Sequence, residues 1–529
     1  MLITNIYRYL KRHLTVIATV AVILCLAGCD WLLNPDEIPP SVVIFYPTDG
    51  AYLTGPDTIK VEAVDNEAVE SVAFLIDGVE IGRDSDYPYE QYWEVGWWAD
   101  GEDHTILAKA YDEVDNVGLS NLVTVRISSY ATLSGPVTET PAPDSIFAIA
   151  SSITFEWHSV RYVVEYELEI SATATFTDIA HTVIISDTTT TVTGLAEGSY
   201  YWRVRGLNDS GGGTDWSGVR RFYLATDPTD VLIFTEYEFN PVISTGDDYW
   251  NSRHNLGPSV IYDNGIYKMW FTGIGDGQYR VRYATSSDGI DWDTRSEPVL
   301  SPLSSNGFDE IHLRWPFVMQ VGNEYRIYFS AQNSAGIWQI FLATSTDGLT
   351  WERYSSEPIL GVGEYEEFDS GFTGGLYILY HDGTYYMWYT GGSGLVAEKQ
   401  IGLAYSQDGF SWEKYSANPV MEPDPAAEHE SYVIGKPWTF LLADGRFEMF
   451  YNGYNGQLYF INRAWSTDGI NWTRDPFNPI IDPGGTGAWN AIGSSSPSFF
   501  RQDDIYHIWY SGDSGHGWSI GYGTARCAE

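Results

Sequence analysis

Four carboxylates lie in two loops that each precede a predicted strand. They are Asp309, Glu310, Glu366 and Glu367. Cleavage of a glycosidic bond needs two carboxyl groups, roughly 5 to 9.5 Å apart, one protonated and one ionised. Asp309 or Glu310 could form such a pair with Glu366 or Glu367 if both loops turn inward. We therefore take these four side chains as the candidate catalytic residues.

Basic and polar side chains occupy corresponding places in three of the repeats, one of which is the repeat that contains Asp309 and Glu310. They are Arg253, His254, Asn255, His312, Arg314 and Lys436. The chain has 28 Lys and Arg against 71 Asp and Glu, a net charge of −43. A cluster of basic side chains is therefore unexpected in this chain. Positive groups that face one channel favour an anionic ligand such as a uronic acid, a sulfated sugar or phosphate. The alternative is that they pair with neighbouring acids on surface loops.

Internal repeats of about sixty residues supply the scaffold for these loops. A Ser-x-Asp-Gly-x-x-Trp box recurs with Trp spacings of 59, 61 and 60 residues. A second motif, Met-Trp-Phe-Thr-Gly in its first copy, occurs five times. The fifth repeat lacks an outer strand, which the segment from Asn240 to Ile243 could supply from the N-terminal side. Such closure removes the exposed sheet edge and predicts a five-bladed β-propeller over residues 231–529.

An aromatic or His residue, followed by Asn, Asp or Glu, lies eight residues before the position that opens each inner strand. The polar members are Asn251, Asp309, Asp369, Glu430 and Asn490. Because the position repeats in every blade, we expect a structural contact there more than catalysis. The Ser-x-Asp-Gly boxes are likewise expected to form tight turns.

The repeats resemble the five-bladed propellers of glycoside hydrolase families 43, 32 and 130. The resemblance rests on the Ser-x-Asp-Gly, Asn-Pro-Val-Leu and Met-Trp-Tyr-Thr-Gly motifs and covers roughly the last 300 residues. In families 43 and 32 it implies catalytic carboxylates at the inner-strand starts, where this chain has Gly257, Trp315 and Gly375. A phosphorylase similar to family 130 needs one acid and a basic phosphate site. Arg253, Arg314 and Lys436 could supply that site.

Two predicted β-sandwiches precede the propeller, so the predicted fold is all-β. Residues 41–128 contain short alternating strands and, from Ala108 to Asp112, resemble a bacterial immunoglobulin-like domain. Residues 131–225 resemble a fibronectin type III domain through Trp157 and the run from Tyr200 to Arg205. A calcium ion could be shared by Asp65, Asp112 and Asp115, or these aspartates could simply cap turns. No other cofactor is expected.

The N-terminal residues have the features of a sorting signal. Three basic residues precede an apolar run from Leu14 to Leu26, which is shorter than the roughly 20 residues of a membrane-spanning helix. The sequence that ends at Cys29 resembles the lipobox of bacterial lipoproteins. The resemblance implies a signal peptide over residues 1–28, a lipid on Cys29, and residues 29–40 as a tether to a membrane of the bacterial cell envelope. An ordinary secretory signal is the alternative.

Composition narrows the possible functions. The negative net charge argues against a nucleic acid partner, and 44% hydrophobic residues exclude a disordered acidic tail. The sequence leaves open a glycosidase-like envelope enzyme acting on a polysaccharide or oligosaccharide, a non-catalytic glycan-binding propeller, and a protein-binding scaffold or adhesin. A channel with paired carboxylates favours the enzyme, and a basic channel without them favours the glycan binder. A broad exposed apolar patch favours the scaffold.

Overall fold

The computed structural model is an all-β protein with two sandwiches followed by a five-bladed propeller, which confirms the predicted fold class. The described residues are 38–98, 102–127, 134–160, 163–207, 213–246, 254–275, 277–305, 310–393, 399–485 and 487–528. Three short 3-10 helices occur in them, at Val95–Trp98, Pro228–Asp230 and Glu428–Glu430. No helix in these ranges has the length and apolarity to span a membrane. The predicted signal peptide and Cys29 lie outside them.

The first sandwich packs a three-stranded sheet against a six-stranded sheet. Its strands are β1 (Ser41–Tyr46), β2 (Ala51–Leu53), β3 (Asp57–Val64), β4 (Val69–Ile76), β5 (Val79–Asp84), β6 (Tyr89–Trp93), β7 (Asp103–Asp112), β8 (Val117–Leu119) and β9 (Val123–Ile127). The sheet orders are β1-β3-β6 and β2-β9-β7-β4-β5, with β8 on β7. Every second residue of β7 is buried, because alternate side chains of a strand point to opposite faces. These residues fill the core between the sheets.

The aspartates considered for calcium are engaged in turns. Asp112 is buried, and its carboxylate accepts hydrogen bonds from the backbone N–H of Val114 at 3.0 Å and of Asn116 at 2.8 Å. Asp65 accepts from the N–H of Glu67 at 2.9 Å. Within the described ranges, no group of three His, Cys, Asp or Glu side chains is placed to hold a metal ion. Calcium binding that includes Asp115 stays a prediction.

The second sandwich contains eight strands in two sheets. They are β10 (Thr138–Thr140), β11 (Ser145–Ala148), β12 (Ile153–Trp157), β13 (Glu165–Ser171), β14 (Ile179–Ile185), β15 (Thr189–Val192), β16 (Gly198–Leu207) and β17 (Arg220–Ala225). The orders are β10-β12-β15 and β11-β17-β16-β13-β14. Trp157 and Trp202 lie in the core between these sheets.

The propeller consists of four-stranded blades. Strand β18 (Leu232–Glu236) comes first, and blade one contains β19 (Asn255–Asp263), β20 (Ile266–Gly275), β21 (Gln278–Ser286) and β22 (Asp293–Thr294). Blade two contains β23 (His312–Val321), β24 (Glu324–Gln332), β25 (Trp338–Ser345) and β26 (Glu352–Arg353), and blade three contains β27 (Phe372–His381), β28 (Thr384–Gly392), β29 (Lys399–Ser406) and β30 (Glu413–Lys414). Blade four contains β31 (Val433–Leu441), β32 (Phe447–Tyr454), β33 (Tyr459–Ser466) and β34 (Thr473–Arg474), and blade five contains β35 (Gly493–Gln502), β36 (Ile505–Asp513) and β37 (Trp518–Cys527). In each blade, neighbouring strands pair antiparallel from the inner strand outward.

The N-terminal side of the propeller closes the ring, but through a different segment from the one predicted. Strand β18 is the outer strand of blade five and pairs antiparallel with β37. The predicted segment from Asn240 to Ile243 contributes one bridge, between Ile243 and Ile520. Leu300 makes the matching bridge to Val281 in blade one. The Asn-Pro-Val-Ile copy therefore has the same place in every blade, and the outer strand precedes it.

The two sequence motifs contact each other at four of the five junctions between neighbouring blades. In the first box, Ser286 Oγ accepts the N–H of Gly289 at 2.8 Å, which fixes a tight turn. Trp509 of blade five donates its indole N–H to the carbonyl of Gly289 at 2.7 Å, across the closure of the ring. A Cβ at Gly289 would stand 2.8 Å from the Trp509 ring, and its φ is 80°, so both contact and conformation require glycine. The boxes are structural turns.

The second sandwich is fixed against blades four and five. Tyr201 donates to both carboxylate oxygens of Asp482, at 3.1 and 3.0 Å, and Arg221 donates to the same carboxylate at 3.1 Å. Thr177 donates to Glu428, in the 3-10 helix before β31, at 3.0 Å. Since Tyr201 and Arg221 are largely buried, these polar contacts hold the two domains in one relative orientation.

Candidate functional site

One residue of each inner strand stands at a bulge and has left-handed backbone geometry. These residues, which we call the bulge ring, have φ values of 62°, 50°, 51°, 50° and 51° and are Gly257, Trp315, Gly375, Lys436 and Ser496. The register with the second strand shifts at each of them. Three of them, Gly257, Trp315 and Gly375, are the positions at which the resemblance to families 43 and 32 led us to expect catalytic carboxylates.

The second sequence motif holds the bulge ring in place. The backbone N–H of each ring residue donates to a side-chain oxygen on the second strand of the preceding blade. The acceptors are, in ring order, Ser511 at 2.9 Å, Thr272 at 3.0 Å, Ser330 at 3.2 Å, Thr390 at 2.8 Å and Asn452 at 2.7 Å. Each acceptor is the fourth residue of its Met-Trp-Phe-Thr-Gly copy. The repeat therefore fixes the ring backbone, while the ring side chains differ from blade to blade.

Four ring residues line a cavity of about 350 Å³ at one end of the propeller. A second tier of five side chains surrounds it, one from the start of each blade's third strand. This tier consists of Tyr279, Trp338, Lys399, Tyr459 and Trp518. Beneath the ring, the residues that follow it narrow the channel to a space of about 30 Å³. The cavity is therefore a pocket with a floor, and aromatic side chains form much of its wall.

Three cations lie in this pocket. The Arg314 guanidinium carbon stands 3.5 Å from the ring centre of Tyr279, and Lys399 Nζ stands 4.3 Å from that of Phe372. Lys436 Nζ donates to the hydroxyls of Ser496 at 2.8 Å and Ser495 at 3.1 Å. No carboxylate is found among the described residues that line the pocket. The cations are therefore held by aromatic faces and hydroxyls.

Their environment makes both lysines easier to deprotonate. Burial, and then the nearby charge of Arg314, lower the pKa of Lys399 to about 8. Burial lowers the pKa of Lys436 to about 7, with further contributions from Lys399 and Arg314. Both shifts express the cost of desolvating like charges that lack a counter-ion. An anion bound between these groups would raise both pKa values and would be held more tightly at lower pH.

The three predicted catalytic carboxylates that lie in the described ranges, Glu310, Glu366 and Glu367, do not line the pocket. Glu310 is buried, and it accepts a hydrogen bond from Arg353 Nε at 2.8 Å and from the N–H of Leu303 at 2.9 Å. Glu366 and Glu367 are exposed in a loop beside a separate depression. Asp309 lies outside the described residues. Glu310 is therefore occupied by a structural ion pair, and a catalytic role for these four carboxylates stays a prediction.

Buried carboxylates recur between the inner and outer strands of blades two, three and four. Asp369 pairs with Lys414 at 2.7 Å and accepts from the Tyr389 hydroxyl at 2.8 Å. Glu430 pairs with Arg474 and accepts from the Tyr451 hydroxyl at 2.6 Å. With the pair of Glu310 and Arg353, these form a set that we call the seam pairs. The polar position that repeats before each inner strand thus makes a structural contact in blades three and four. In blade two, the corresponding contact is made by Glu310.

The predicted binding residues divide into three groups. His254, Arg314 and Lys436 line the pocket. Asn255 is buried elsewhere and donates to the carbonyl of Ser244 at 2.9 Å, while His312 Nδ1 accepts the N–H of Tyr279 at 3.4 Å behind the wall. Arg253 lies outside the described residues. Of the five predicted binding residues in the described ranges, the structure therefore brings three together in the pocket.

The second tier of the pocket is not among the residues predicted from the sequence. A signal for it is present, because Tyr279, Trp338, Lys399 and Tyr459 each lie seven residues before the Ser of a Ser-x-Asp-Gly box. Successive residues of a strand alternate between its two faces, so a constant spacing from a fixed turn gives all four the same orientation. Lys399 could have been added to the binding set in this way.

Comparison with known proteins gives two family matches. Residues 40–108 match a model of a bacterial Ig domain, and residues 265–436 match a model described as beta-1,4-mannooligosaccharide phosphorylase. An uncharacterised protein of Mycobacterium tuberculosis is 30% identical over 141 residues, which are 25% of this chain and 45% of that protein. The chain thus spans a little under half of this curated relative. A 1,2-beta-oligomannan phosphorylase of Thermoanaerobacter is 25% identical over 224 residues, or 40% of this chain and 68% of the enzyme.

Comparison with solved structures finds proteins that cover a little over half of the chain. The beta-1,2-mannobiose phosphorylase of Listeria innocua has 15% identity and a TM-score of 0.45, and the match covers 56% of this chain and 97% of that enzyme. The family matches show that the chain combines a region similar to bacterial Ig domains with a region similar to the mannooligosaccharide phosphorylases of glycoside hydrolase family 130.

Proposed function

We propose that the propeller pocket binds an oligosaccharide that carries an anionic group. The observation that carries the proposal is the meeting of Arg314, Lys399 and Lys436 in one pocket whose described lining contains no carboxylate. A volume of about 350 Å³ falls within the roughly 300–1,000 Å³ of small-ligand sites. Aromatic side chains such as Trp338 and Trp518 offer flat apolar faces for sugar rings. The match to mannooligosaccharide phosphorylases supports a mannose-containing ligand.

Calorimetric titration of the full-length chain in detergent tests this function. The ligands are neutral mannooligosaccharides and matched uronic, sulfated and phosphorylated oligosaccharides. We expect the anionic compounds to bind at least tenfold more tightly, a difference of about 1.4 kcal/mol. Lys399→Met should remove this preference, whereas Lys60→Met, which removes a charge from the surface of the first sandwich, should not. Equal affinity for neutral and anionic ligands would refute the proposal.

Phosphorolysis is the second candidate, and the family match over residues 265–436 favours it. The same three cations could hold inorganic phosphate, which attacks the glycosidic bond while one carboxylic acid protonates the leaving oxygen. Asp309 is the candidate acid. Mannose 1-phosphate should then form from mannooligosaccharides and phosphate, and Asp309→Asn should abolish it. If the wild-type chain does not form this product, phosphorolysis is refuted and binding is the remaining candidate function.

We further propose that the protein is lipid-anchored in a bacterial cell envelope. The support is the sequence up to Cys29, with its basic residues, apolar run and small residues before the cysteine. Labelling with a palmitate analogue should modify the wild-type chain and not Cys29→Ala. Labelling of both proteins, or of neither, would contradict the anchor.

A further inference from the structure

Ser496 and Lys436 form a hydrogen-bonded pair at the floor of the pocket. Lys436 Nζ and Ser496 Oγ are 2.8 Å apart, and both residues line the pocket. Asn452 holds the serine backbone, since its Oδ1 accepts the N–H of Ser496 at 2.7 Å. Ser496 has a φ of 51°, in the left-handed region that costs free energy for a residue with a Cβ. This backbone geometry is common to the bulge ring, whereas the amine within hydrogen-bond distance and the place in the pocket are typical of an activated serine.

We propose that Ser496 is a nucleophile activated by Lys436, and that the pocket hydrolyses a carboxylic ester on its ligand, such as an O-acyl group of a sugar. The activity goes beyond the proposed binding function, because the reaction requires an ester and does not require the ligand to be anionic.

The reaction balances with water as the only co-substrate. Ser496 Oγ attacks the ester carbonyl carbon while its proton passes to the unprotonated Lys436 Nζ. The bond between that carbon and the sugar oxygen then breaks, and Lys436 returns the proton to the leaving oxygen. Water, activated by the same amine, hydrolyses the acyl-serine and releases the carboxylic acid. Arg314 and Lys399 supply a positive field that favours the negative charge of the tetrahedral intermediate.

Lys436 can act as a base because no carboxylate holds its proton. Its described hydrogen-bond partners are the hydroxyls of Ser495 and Ser496, and its pKa is lowered to about 7. A substantial fraction of the amine is therefore unprotonated at neutral pH. The titratable and charged groups that face the pocket with it are Arg314, Lys399, His254, Tyr279, Tyr432, Tyr454 and Tyr459.

Covalent labelling of the full-length chain with a fluorophosphonate tests the proposal. We expect one phosphonylated residue, Ser496, identified by peptide mass spectrometry, and hydrolysis of p-nitrophenyl acetate that the label abolishes. The labelling rate should rise with pH through about 7, because the unprotonated amine is the base. A wild-type chain that is folded but is not labelled at Ser496 would overturn the proposal.

Variants separate the reaction from folding and from glycan binding. Ser496→Gly suits the left-handed backbone, since glycine stands at two other ring positions, so it should fold normally and lose labelling. Lys436→Met and Lys436→Arg should both slow labelling at least tenfold, whereas exposed Ser393→Gly should leave it unchanged. If Ser496→Gly still hydrolyses the acetate ester, Ser496 is not the nucleophile. Calorimetry with the anionic oligosaccharides on the same variants reports the proposed binding function separately.

Discussion

The seam pairs and the pocket contain the same kinds of cation in opposite electrostatic situations. In the seams, Glu310, Asp369 and Glu430 have side-chain exposures of 1%, 1% and 0%, and each has a cationic partner. In the pocket, Arg314, Lys399 and Lys436 contact aromatic rings and hydroxyls, with no carboxylate in the described lining.

The difference separates charges that stabilise the fold from charges available to a ligand. A buried cation with a carboxylate partner is compensated within the protein. A cluster of cations without such a partner raises the free energy of the ligand-free state, and an anion from outside can lower it. The two lysines with lowered pKa values, Lys399 and Lys436, both lie in the pocket.

The largest expected effect comes from breaking a seam pair. Arg353→Met leaves the Glu310 carboxylate buried without its cation, so the free energy of unfolding should fall by about 3–5 kcal/mol. Urea unfolding followed by tryptophan fluorescence measures the loss. Arg446→Met, which breaks an exposed pair with Asp444, is the control and should leave the midpoint unchanged. Equal midpoints for both variants would mean that the seam pairs contribute little.

The pH dependence of ligand affinity sharpens the pocket side of the comparison. The pKa values of about 8 for Lys399 and about 7 for Lys436 rise when an anion binds, so binding takes up protons. Affinity for an anionic oligosaccharide should therefore fall about tenfold as the pH rises from about 6 to about 9. Titrations in buffers of different ionisation enthalpy measure the proton uptake directly. Affinity that is constant over this range would contradict the assignment of both lysines.

Removing a pocket cation should raise the free energy of unfolding, whereas removing a seam cation should lower it. Lys436→Met takes an uncompensated charge out of a desolvated place and keeps a side chain of similar length. The free energy of unfolding without ligand should rise by about 1 kcal/mol at pH 6, where the lysine is protonated. The gain should shrink towards pH 9, where the lysine is already neutral. A variant that is less stable at both pH values would break the comparison.

Salt should produce the smallest effect. Raising the ionic strength from about 0.05 to about 0.5 M should weaken binding of the anionic oligosaccharide about threefold, because the pocket opens to solvent. The midpoint of urea unfolding should change much less, since the seam pairs are buried and weakly screened. Salt-independent binding would indicate that the anion is recognised without its charge.

The fold could be predicted from the sequence because the repeats carry their own geometry. Trp270, Tyr328 and Trp388 of the second motif each donate to the carbonyl of the box glycine in the next blade, which lies 78, 81 and 81 residues later in the chain. The outer strand of the fifth blade was placed a few residues too late. Strand β18 has no repeated motif to mark it, and the Asn-Pro-Val-Ile copy gave a false boundary.

The candidate site could be predicted only in part. Constant spacing located the inner-strand starts and hence Arg314 and Lys436, but not the direction of side chains in the loops before them. Glu310 turns away from the pocket because Arg353, 43 residues later in the chain, binds it across the blade. Such a contact depends on the packing of the outer strand, which local patterns do not reveal. Lys399 was not predicted because it starts a third strand, and the motif that marks the inner strands does not mark that position.

The two glycines of the bulge ring have an evolutionary consequence. A Cβ at Gly257 or Gly375 would stand 3.0 Å from Trp315 Cδ1 or Lys436 Cγ, so either position could accept a side chain after small shifts of its neighbour. Trp, Lys and Ser already occupy the same backbone geometry elsewhere in the ring. A lineage built on this scaffold can therefore acquire, lose or exchange ligand chemistry one substitution at a time, while the hydrogen bonds that hold the ring remain the same.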